Sequence, residues 1–309
     1  MTAQTLTGLR VVNFGLNLPG PMLARRLAKR GAQVQHIEPP AGDPTCSMFV
    51  NPFGVPLLYQ WLHQHSATMR LDLKRSDDLA AARTICSAAD VIIDGFLPGT
   101  LARLGIDPDE LRRGDPGLVY CAVVGYHDRK RAAWPGHDLN FLATSGLATS
   151  LRLSPDRPLP LFPIGDIAGG VLHAETEILA ALVGRAAHGA GACLTVGIAD
   201  ALADLDVVSR ISEVVPEDPS AMFLSGVYAC YRLYWAANQT MLALGALEEK
   251  FWIRFCHLID KPQLAEHQFA TRHDGADTHA VVEAALLLRD AANWERLSLN
   301  SPCCLTQVA

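Results

Sequence analysis

The sequence has few features that point to a metal, a nucleotide or a disulfide framework. Its eight cysteines are scattered and include no C-x-x-C pair, so no zinc site is indicated and most are expected to be buried thiols. The Cys303-Cys304 doublet is interpreted as structural. Neither G-x-G-x-x-G nor G-x-x-x-x-G-K-[ST] occurs, which leaves a phosphate-cradling loop without support.

Positive charge and long apolar runs are also scarce. Lysine and arginine total 26 against 32 aspartates and glutamates, a net charge of −6, so nucleic acid and anionic membranes are not expected as partners. The first residues lack the charged and apolar regions of a secretory signal, and no membrane-length window is free of charges or breakers. We expect a cytoplasmic protein.

The chain does contain enough apolar residues for a large core. Half of its 309 residues are hydrophobic and 19% are charged, which is typical of a globular protein with one large or two modest cores.

The first half alternates β-branched runs with amphipathic stretches. Residues 9–15, 21–31 and 33–39 predict a strand, a helix and a strand, a βαβ unit that implies a parallel sheet. Further segments repeat the pattern: a helix at 76–89, a strand at 90–96, short helices at 98–105 and 107–114, and a strand at 117–126. The fold class is therefore α/β with an open parallel sheet, where ligands bind at the carboxyl ends of the strands.

The second half predicts longer helices and a hairpin. An apolar helix at about 168–186 is followed by a short strand and a second long helix. Residues 213–226, rich in proline, acids and small residues, are the best boundary. Two hairpin strands at 227–236 and 240–247 follow, with helices to the end. We therefore divide the chain into domains 1–212 and 213–309.

One segment, WPGHDLNFLATSG (134–146), places a histidine and an aspartate side by side before a helical run. His137 and Asp138 have a purely structural interpretation, as a core histidine and a helix cap. Asp166, between glycine and small residues, fits an N-cap equally well. Glu248 fits the first turn of a helix, where acids face the positive end of the dipole.

Several segments together resemble the family III CoA-transferases of the CaiB/BaiF type, and among them the α-methylacyl-CoA racemases most. In chain order they are LTGLRVVNFG, PGPMLARRLAKRGAQVQHIEPPAGDP, LDLK, ADVIIDGFLPGTLARLGI, PGLVYCAVVGY, PGHDLNFLATSG, IGDIAGG and GALEEKFW. The resemblance implies a large Rossmann-like domain, a smaller α/β domain and an interlocked homodimer. It also implies an acyl-CoA thioester as substrate, with no permanently bound cofactor and no metal.

The resemblance assigns roles to four residues. His137 and Asp166 become the two acid/base groups, Glu248 pairs with the histidine, and Asp138 lies beside the thioester oxygen. Inverting a carbon next to a thioester requires one group to remove the α-proton and another to return one to the opposite face. Backbone N–H groups at the start of a helix would stabilise the enolate.

The sequence departs from the family where CoA phosphates are bound. The usual basic segment before LDLK reads HQHSATMR (63–70), and Leu97 stands where the family has arginine. The chain is also short at its C-terminus and around 213–222. The remaining candidates for CoA contacts are Arg70, Arg75, Pro98, Gly99, Gly125 and Tyr126, with a basic cluster at Arg129, Lys130 and Arg131 as a further candidate.

Three functions remain open. The first is an isomerase or epimerase that moves the α-proton of an acyl thioester. The second is a CoA-transferase in which Asp166 attacks the acyl carbonyl to form a mixed anhydride. The third is a descendant of the family that has lost CoA binding and acts on another substrate or as a binding protein. Having both His137 and Glu248 favours the first.

Overall fold

The β-branched runs form a six-stranded parallel sheet in the computed structural model, which describes residues 4–128 and 130–309. The strand order is β3-β2-β1-β4-β5-β6, so the winding direction reverses between β1 and β4. The strands are β1 (Arg10–Asn13), β2 (Gln33–Glu38), β3 (Ala67–Arg70), β4 (Val91–Asp94), β5 (Val119–Val124) and β6 (Cys193–Gly197). The predicted α/β class and parallel sheet are confirmed.

Helices connect these strands, and prolines and aspartates mark several of their starts. Pro19 begins the first helix, where its missing N–H and fixed φ are tolerated, and Asp107 caps another by accepting from the Asp109 N–H at 2.8 Å. The helices are α1 (Pro19–Ala28), α2 (Leu57–His63), α3 (Ser76–Ser87), α4 (Thr100–Arg103), α5 (Pro108–Gly114), α6 (Asp138–Ser145), α7 (Leu147–Ser150), α8 (His173–His188) and α9 (Ile198–Leu205).

Alternate residues of the central strands pack on opposite faces of the sheet. Val11 and Ile93 belong to one apolar cluster, with Leu23 of α1 and Ile178 of α8. Ile92 belongs to the other, with residues of α3 and α4. A parallel sheet covered on both faces leaves its strand ends as the place for a ligand.

The apolar helix expected at about 168–186 has a different shape. A π-helical stretch, Gly165–Leu172, precedes α8, and its glycines allow close packing: a Cβ at Gly169 would lie 2.6 Å from the Ile198 carbonyl oxygen. Gly165–His188 is long and apolar enough to cross a membrane, as core helices of soluble proteins also are. It packs on β5 and β6 and carries Glu175, which is buried and paired with Arg26 and Arg30.

The chain divides between Asp206 and Val207 into two units. In the second, β7 (Tyr231–Trp235) and β8 (Met241–Gly245) form the expected hairpin, although β7 begins later than 227. A third strand, β9 (Leu305–Gln307), pairs with β8 and replaces the helical end that we expected. The helices are α10 (Val207–Val214), α11 (Glu249–Leu258), α12 (Ala276–Leu286) and α13 (Ala291–Asn300).

The second long helix predicted after β6 is in fact two short ones. α9 ends at Leu205, and α10 begins at Val207 after Asp206, whose carboxylate accepts a hydrogen bond from the Ser150 hydroxyl at 2.5 Å. The predicted domain boundary after residue 212 therefore falls within α10.

Candidate active site

The loops that follow β1, β4 and β5 surround a cavity of about 270 Å³ in the first unit. These loops lie at the carboxyl ends of parallel strands, where the winding reverses, which is the usual ligand position in an open α/β sheet. Residues from distant parts of the chain line it, among them Gly15, Gly95, Gly125, Trp134, His137 and Asp166. The fold thus brings together both predicted acid/base residues.

The floor of the cavity is made of glycine backbone in close contact. A Cβ at Gly15 would lie 2.8 Å from the Gly20 Cα, and a Cβ at Gly95 would lie 2.7 Å from the Gly15 Cα. Real Cβ atoms do not approach backbone so closely. The loops after β1 and β4 can therefore meet only because these positions are glycine.

Asn13, which the sequence analysis did not single out, holds the loop after β1. The buried side chain donates from Nδ2 to the Gly15 carbonyl oxygen at 2.8 Å and accepts from the Gly15 N–H at 3.0 Å. Its Nδ2 also lies 2.8 Å from His36 Nδ1. A polar residue at the end of an apolar strand, directly before Phe-Gly, is the signal that would have found it.

The loop after β4 is held in a similar way. Asp94 is buried; it accepts from the Phe96 N–H at 2.8 Å and from the Tyr120 hydroxyl at 2.5 Å. Burial raises the pKa of Asp94, and the hydrogen bond from Tyr120 opposes that increase. The segment Gly95 to Leu97 that lines the cavity is therefore fixed by a buried pair.

His137 lies at the N-cap position of α6, with an exposed side chain on the cavity. Its N–H donates to Asn140 Oδ1 at 3.0 Å, and its carbonyl oxygen accepts from the Asn140 N–H at 2.8 Å. The backbone is thus fixed while the imidazole remains accessible. The alternative of a buried core histidine is wrong.

Asp138 and Asp166 are in contact although 28 residues separate them in sequence. Asp138 Oδ1 accepts from the Asp166 N–H at 2.9 Å, so the Asp138 carboxylate joins α6 to the π-helical stretch instead of capping α6. Asp166 is the second residue of that stretch, whose N-cap position is Ile164. Neither aspartate is the helix cap that the structural interpretation proposed.

Among the groups that line the cavity, the Asp166 carboxyl has the most clearly shifted pKa. Burial, and then the neighbouring charge of Asp138, raise the pKa of Asp166 to about 7. Both effects disfavour the carboxylate, because it loses hydration and faces a like charge. Near neutral pH this group therefore exchanges a proton readily, as a general acid or base must.

Glu248 belongs to the second unit, where it is the N-cap residue of α11. Its carbonyl oxygen accepts from the Phe251 and Trp252 N–H groups, and its side chain makes no capping hydrogen bond. The loop before it is held by buried Gln268, which donates from Nε2 to the Ala246 and Leu247 carbonyl oxygens at 3.0 and 2.7 Å. The pairing of Glu248 with His137 stays a prediction.

The six residues proposed for CoA contacts occupy different positions. Gly125 lines the cavity, while Tyr126 is buried and packs edge-on against Phe141. Arg70, at the end of β3, lies 3.7 Å from Glu38. The remaining three stand at helix starts: Arg75 at the N-cap of α3, Gly99 at the N-cap of α4 with φ 73°, and Pro98 directly before it.

The structure describes two of the three residues of the predicted basic cluster. Lys130 and Arg131 are exposed, and the Arg131 guanidinium carbon lies 5.9 Å from the centre of the Trp134 ring. Arg129 lies outside the described residues. Within the described ranges, no group of three or more His, Cys, Asp or Glu side chains is arranged to hold a metal ion.

The parallel sheet with this site at its switch point defines an α/β protein of a known class. Residues 6–309 match CoA-transferase family III, and the chain belongs to that family. A CaiB/baiF CoA-transferase family protein of Caenorhabditis elegans is 30% identical over 98% of this chain and 85% of its own length. The family resemblance of the sequence is therefore confirmed.

The relatives include both chemistries considered above. The human α-methylacyl-CoA racemase is 29% identical over 81% of this chain, which spans 63% of that protein. The probable fatty acyl-CoA transferase Rv3272 of Mycobacterium tuberculosis is 28% identical over 96% of this chain and 80% of its own length. A crystal structure of Rv3272 has the same fold, with a TM-score of 0.84 and 24% identity. The match covers 100% of this chain and 85% of the Rv3272 chain.

Proposed function

We propose that the protein is an isomerase of the α-methylacyl-CoA racemase type, which removes and returns the α-proton of an acyl thioester. The observation that carries the proposal is that His137 and Asp166, remote in sequence, line one cavity at the switch point of the sheet. An imidazole and a carboxyl group with a pKa of about 7 can exchange the roles of acid and base near neutral pH.

In one direction of the reaction, neutral His137 takes the α-proton and the electrons of the C–H bond move into the thioester as an enolate. Protonated Asp166 then gives its proton to the opposite face of the carbon. The products are an imidazolium and a carboxylate, and proton exchange with water restores both. In the other direction the Asp166 carboxylate is the base and the His137 imidazolium is the acid.

The first turn of α6 supplies the stabilisation of the enolate oxygen in this proposal. The His137 and Asn140 N–H groups already donate within this turn, so the Asp138 and Leu139 N–H groups are the proposed donors, and the helix dipole favours negative charge there. His137 and Asp138 stand at this start, with the Asp138 carboxylate turned to the Asp166 N–H. The role of Glu248 as partner of the histidine remains what the family resemblance implies.

The assay that tests the proposal is hydrogen exchange at the α-carbon. Purified protein is incubated in deuterated water with 2-methylacyl-CoA thioesters, and mass spectrometry follows label in the acyl group. We expect label with wild type, and a loss of at least about a hundredfold in rate with His137→Ala and Asp166→Asn. His188→Ala, an exposed histidine at the end of α8, is the matched control. Wild-type rates in both site variants would refute the assignment.

CoA transfer through Asp166 is the second candidate, favoured by relatives that match almost the whole chain. The acetyl-CoA:oxalate CoA-transferase of Acetobacter aceti is 27% identical over 93% of this chain. In such a reaction the Asp166 carboxylate attacks the thioester carbonyl, the C–S bond breaks, and the CoA thiolate leaves an acyl–aspartyl anhydride. Hydroxylamine trapping on the Asp166 peptide after incubation with acyl-CoA tests this, since an isomerase forms no such adduct.

The quaternary structure and compartment are also proposals. We propose a cytoplasmic homodimer, interlocked as the family resemblance implies. Light scattering on the purified protein should then give twice the 33.4 kDa mass of the chain. A mass equal to that of one chain would contradict the dimer.

A further inference from the structure

The rim of the cavity is apolar and aromatic. Phe96, Leu97 and Trp134 line it, and the last two side chains are 47% and 57% exposed. Among the described residues that line the cavity, none is a lysine or arginine. A volume of about 270 Å³ lies just below the roughly 300–1,000 Å³ of small-molecule sites. It therefore suits an acyl group and the part of the carrier next to it.

One buried carboxyl group, in contrast, contacts a residue of the cavity, and a second lies at the end of the strand next to β1. Asp43 is buried and accepts from the N–H of Asn17, a residue that lines the cavity, at 2.9 Å. Glu38, at the end of β2, is equally buried; one of its oxygens accepts from the Tyr59 hydroxyl at 2.8 Å. The other oxygen lies 3.7 Å from Arg70 Nε. Arg70 thus lies beside a buried acid, an environment that opposes a bound phosphate.

The neighbouring histidines do not change this balance. His36 and His63 are both buried, with ring centres 4.2 Å apart. Burial, and then the charge of His63, lower the pKa of His36 to about 3, while burial lowers the pKa of His63. The His36 ring is therefore neutral near pH 7, and burial disfavours a positive charge on His63 at the same strand end.

We infer that this site recognises its substrate by the acyl group and the pantetheine arm of the thioester, and that the nucleotide of CoA contributes little to binding. The inference rests on the proposed function, because it concerns the same cavity. Leu97 and Trp134 contact the apolar parts of the arm. Glu38 and Asp43 oppose phosphates at the adjacent strand end.

Binding of unreactive analogues tests the inference without catalysis. The probes are the S-(2-methyldecyl) thioethers of pantetheine and of CoA, and their Kd values are measured by calorimetry. We expect the two values to agree within about tenfold, with little change on raising the salt concentration, because screened phosphate contacts are absent. A pantetheine analogue that binds more than about a hundredfold more weakly than the CoA analogue overturns the inference.

Two variants locate the preference on the molecule. Leu97→Arg removes an apolar contact with the arm and places a cation at the rim, so it should weaken the pantetheine analogue by about three- to tenfold and the CoA analogue less. Val183→Arg, at an exposed position of α8, is the control and should change neither. An unchanged affinity of the pantetheine analogue in Leu97→Arg overturns the contact between Leu97 and the arm.

The basic loop beside Trp134 provides the opposing test. If Lys130 and Arg131 held the phosphates, replacing both by serine would weaken the CoA analogue by more than about tenfold. We expect less than about threefold, and the larger loss would overturn the inference.

Proton exchange on acyl-CoA with weak pantetheine binding would refute this inference alone. Equal binding without exchange would support it and refute the proposed chemistry.

Discussion

The Asp138 carboxylate and the Asp166 backbone N–H form a hydrogen bond of 2.9 Å that joins α6 to the π-helical stretch. The bond holds two carboxyl groups in the same small region, where each raises the cost of charging the other. Asp138 thus both positions the Asp166 backbone and raises the pKa of the Asp166 carboxyl.

Asp138→Asn separates these two effects. The asparagine carbonyl oxygen can still accept from the Asp166 N–H, but the negative charge is gone. The apparent pKa of Asp166, about 7 in the wild type, should therefore fall. Carbon-13 NMR titration of labelled carboxyl groups measures the change, with Asp156→Asn, on an exposed loop, as the control. An unchanged Asp166 titration would show that Asp138 does not act through its charge.

Asp166→Asn should change how stability depends on pH. The pKa of Asp166 is about 7 in the folded state and near 3.9 unfolded, so the folded state binds more protons between these values. Wild-type stability attributable to this group therefore falls as pH rises from about 4 to 7. The variant should gain roughly 1–3 kcal/mol over wild type at pH 8, allowing for partial solvation, and less at pH 5. Urea unfolding at both values tests this, and an equal gain at both would contradict it.

Asn13→Ala should destabilise the first unit. The substitution removes both hydrogen bonds to Gly15 and leaves buried backbone groups without a partner, at a cost of about 2–4 kcal/mol. Urea unfolding measures the loss. Gln33→Ala, at an exposed position on the neighbouring strand, should stay within about 0.5 kcal/mol of wild type. A similarly small effect at Asn13 would mean that the loop after β1 does not need this clamp.

Gly95→Ala and Gly184→Ala should have opposite effects. The added Cβ at residue 95 would meet the Gly15 Cα at 2.7 Å, which is backbone and can yield only by moving the loop, so we expect a loss of about 1–3 kcal/mol. At Gly184, within α8, a Cβ meets nothing within 4 Å, and helix propensity favours alanine by up to about 1 kcal/mol. Thermal unfolding of both variants provides the comparison. Equal shifts would contradict the close contact at the cavity floor.

The sequence predicted the parts of the fold with strong periodicity. The elements β1, α1 and β2 were predicted from an apolar run, an amphipathic stretch and a second apolar run. The cavity also lies where the parallel sheet predicts a ligand, at the carboxyl ends of the strands. β3 was missed because all four of its residues are exposed, so it shows no buried face. β9 was missed because three residues are too few to show an alternating pattern.

The site was less accessible to sequence reasoning where it depends on tertiary contact. The family resemblance singled out Asp138 and Asp166, but periodicity could not show that one accepts from the other's N–H. Nor could a 3.6-residue period reveal the π-helical turns at 165–172. Asn13 and Asp43 hold cavity loops through backbone N–H groups, which side-chain patterns do not display.

The glycine floor limits how this site can diversify. Any side chain at residues 15, 20 or 95 would collide with the opposite backbone, so these positions cannot acquire a new binding group. New substrate preferences must then arise on the walls, at residues such as Leu16, Leu97 and Trp134. The glycine floor, which holds the loops together, cannot change without disturbing the fold. The side chains at the rim can change, and selection can act on them.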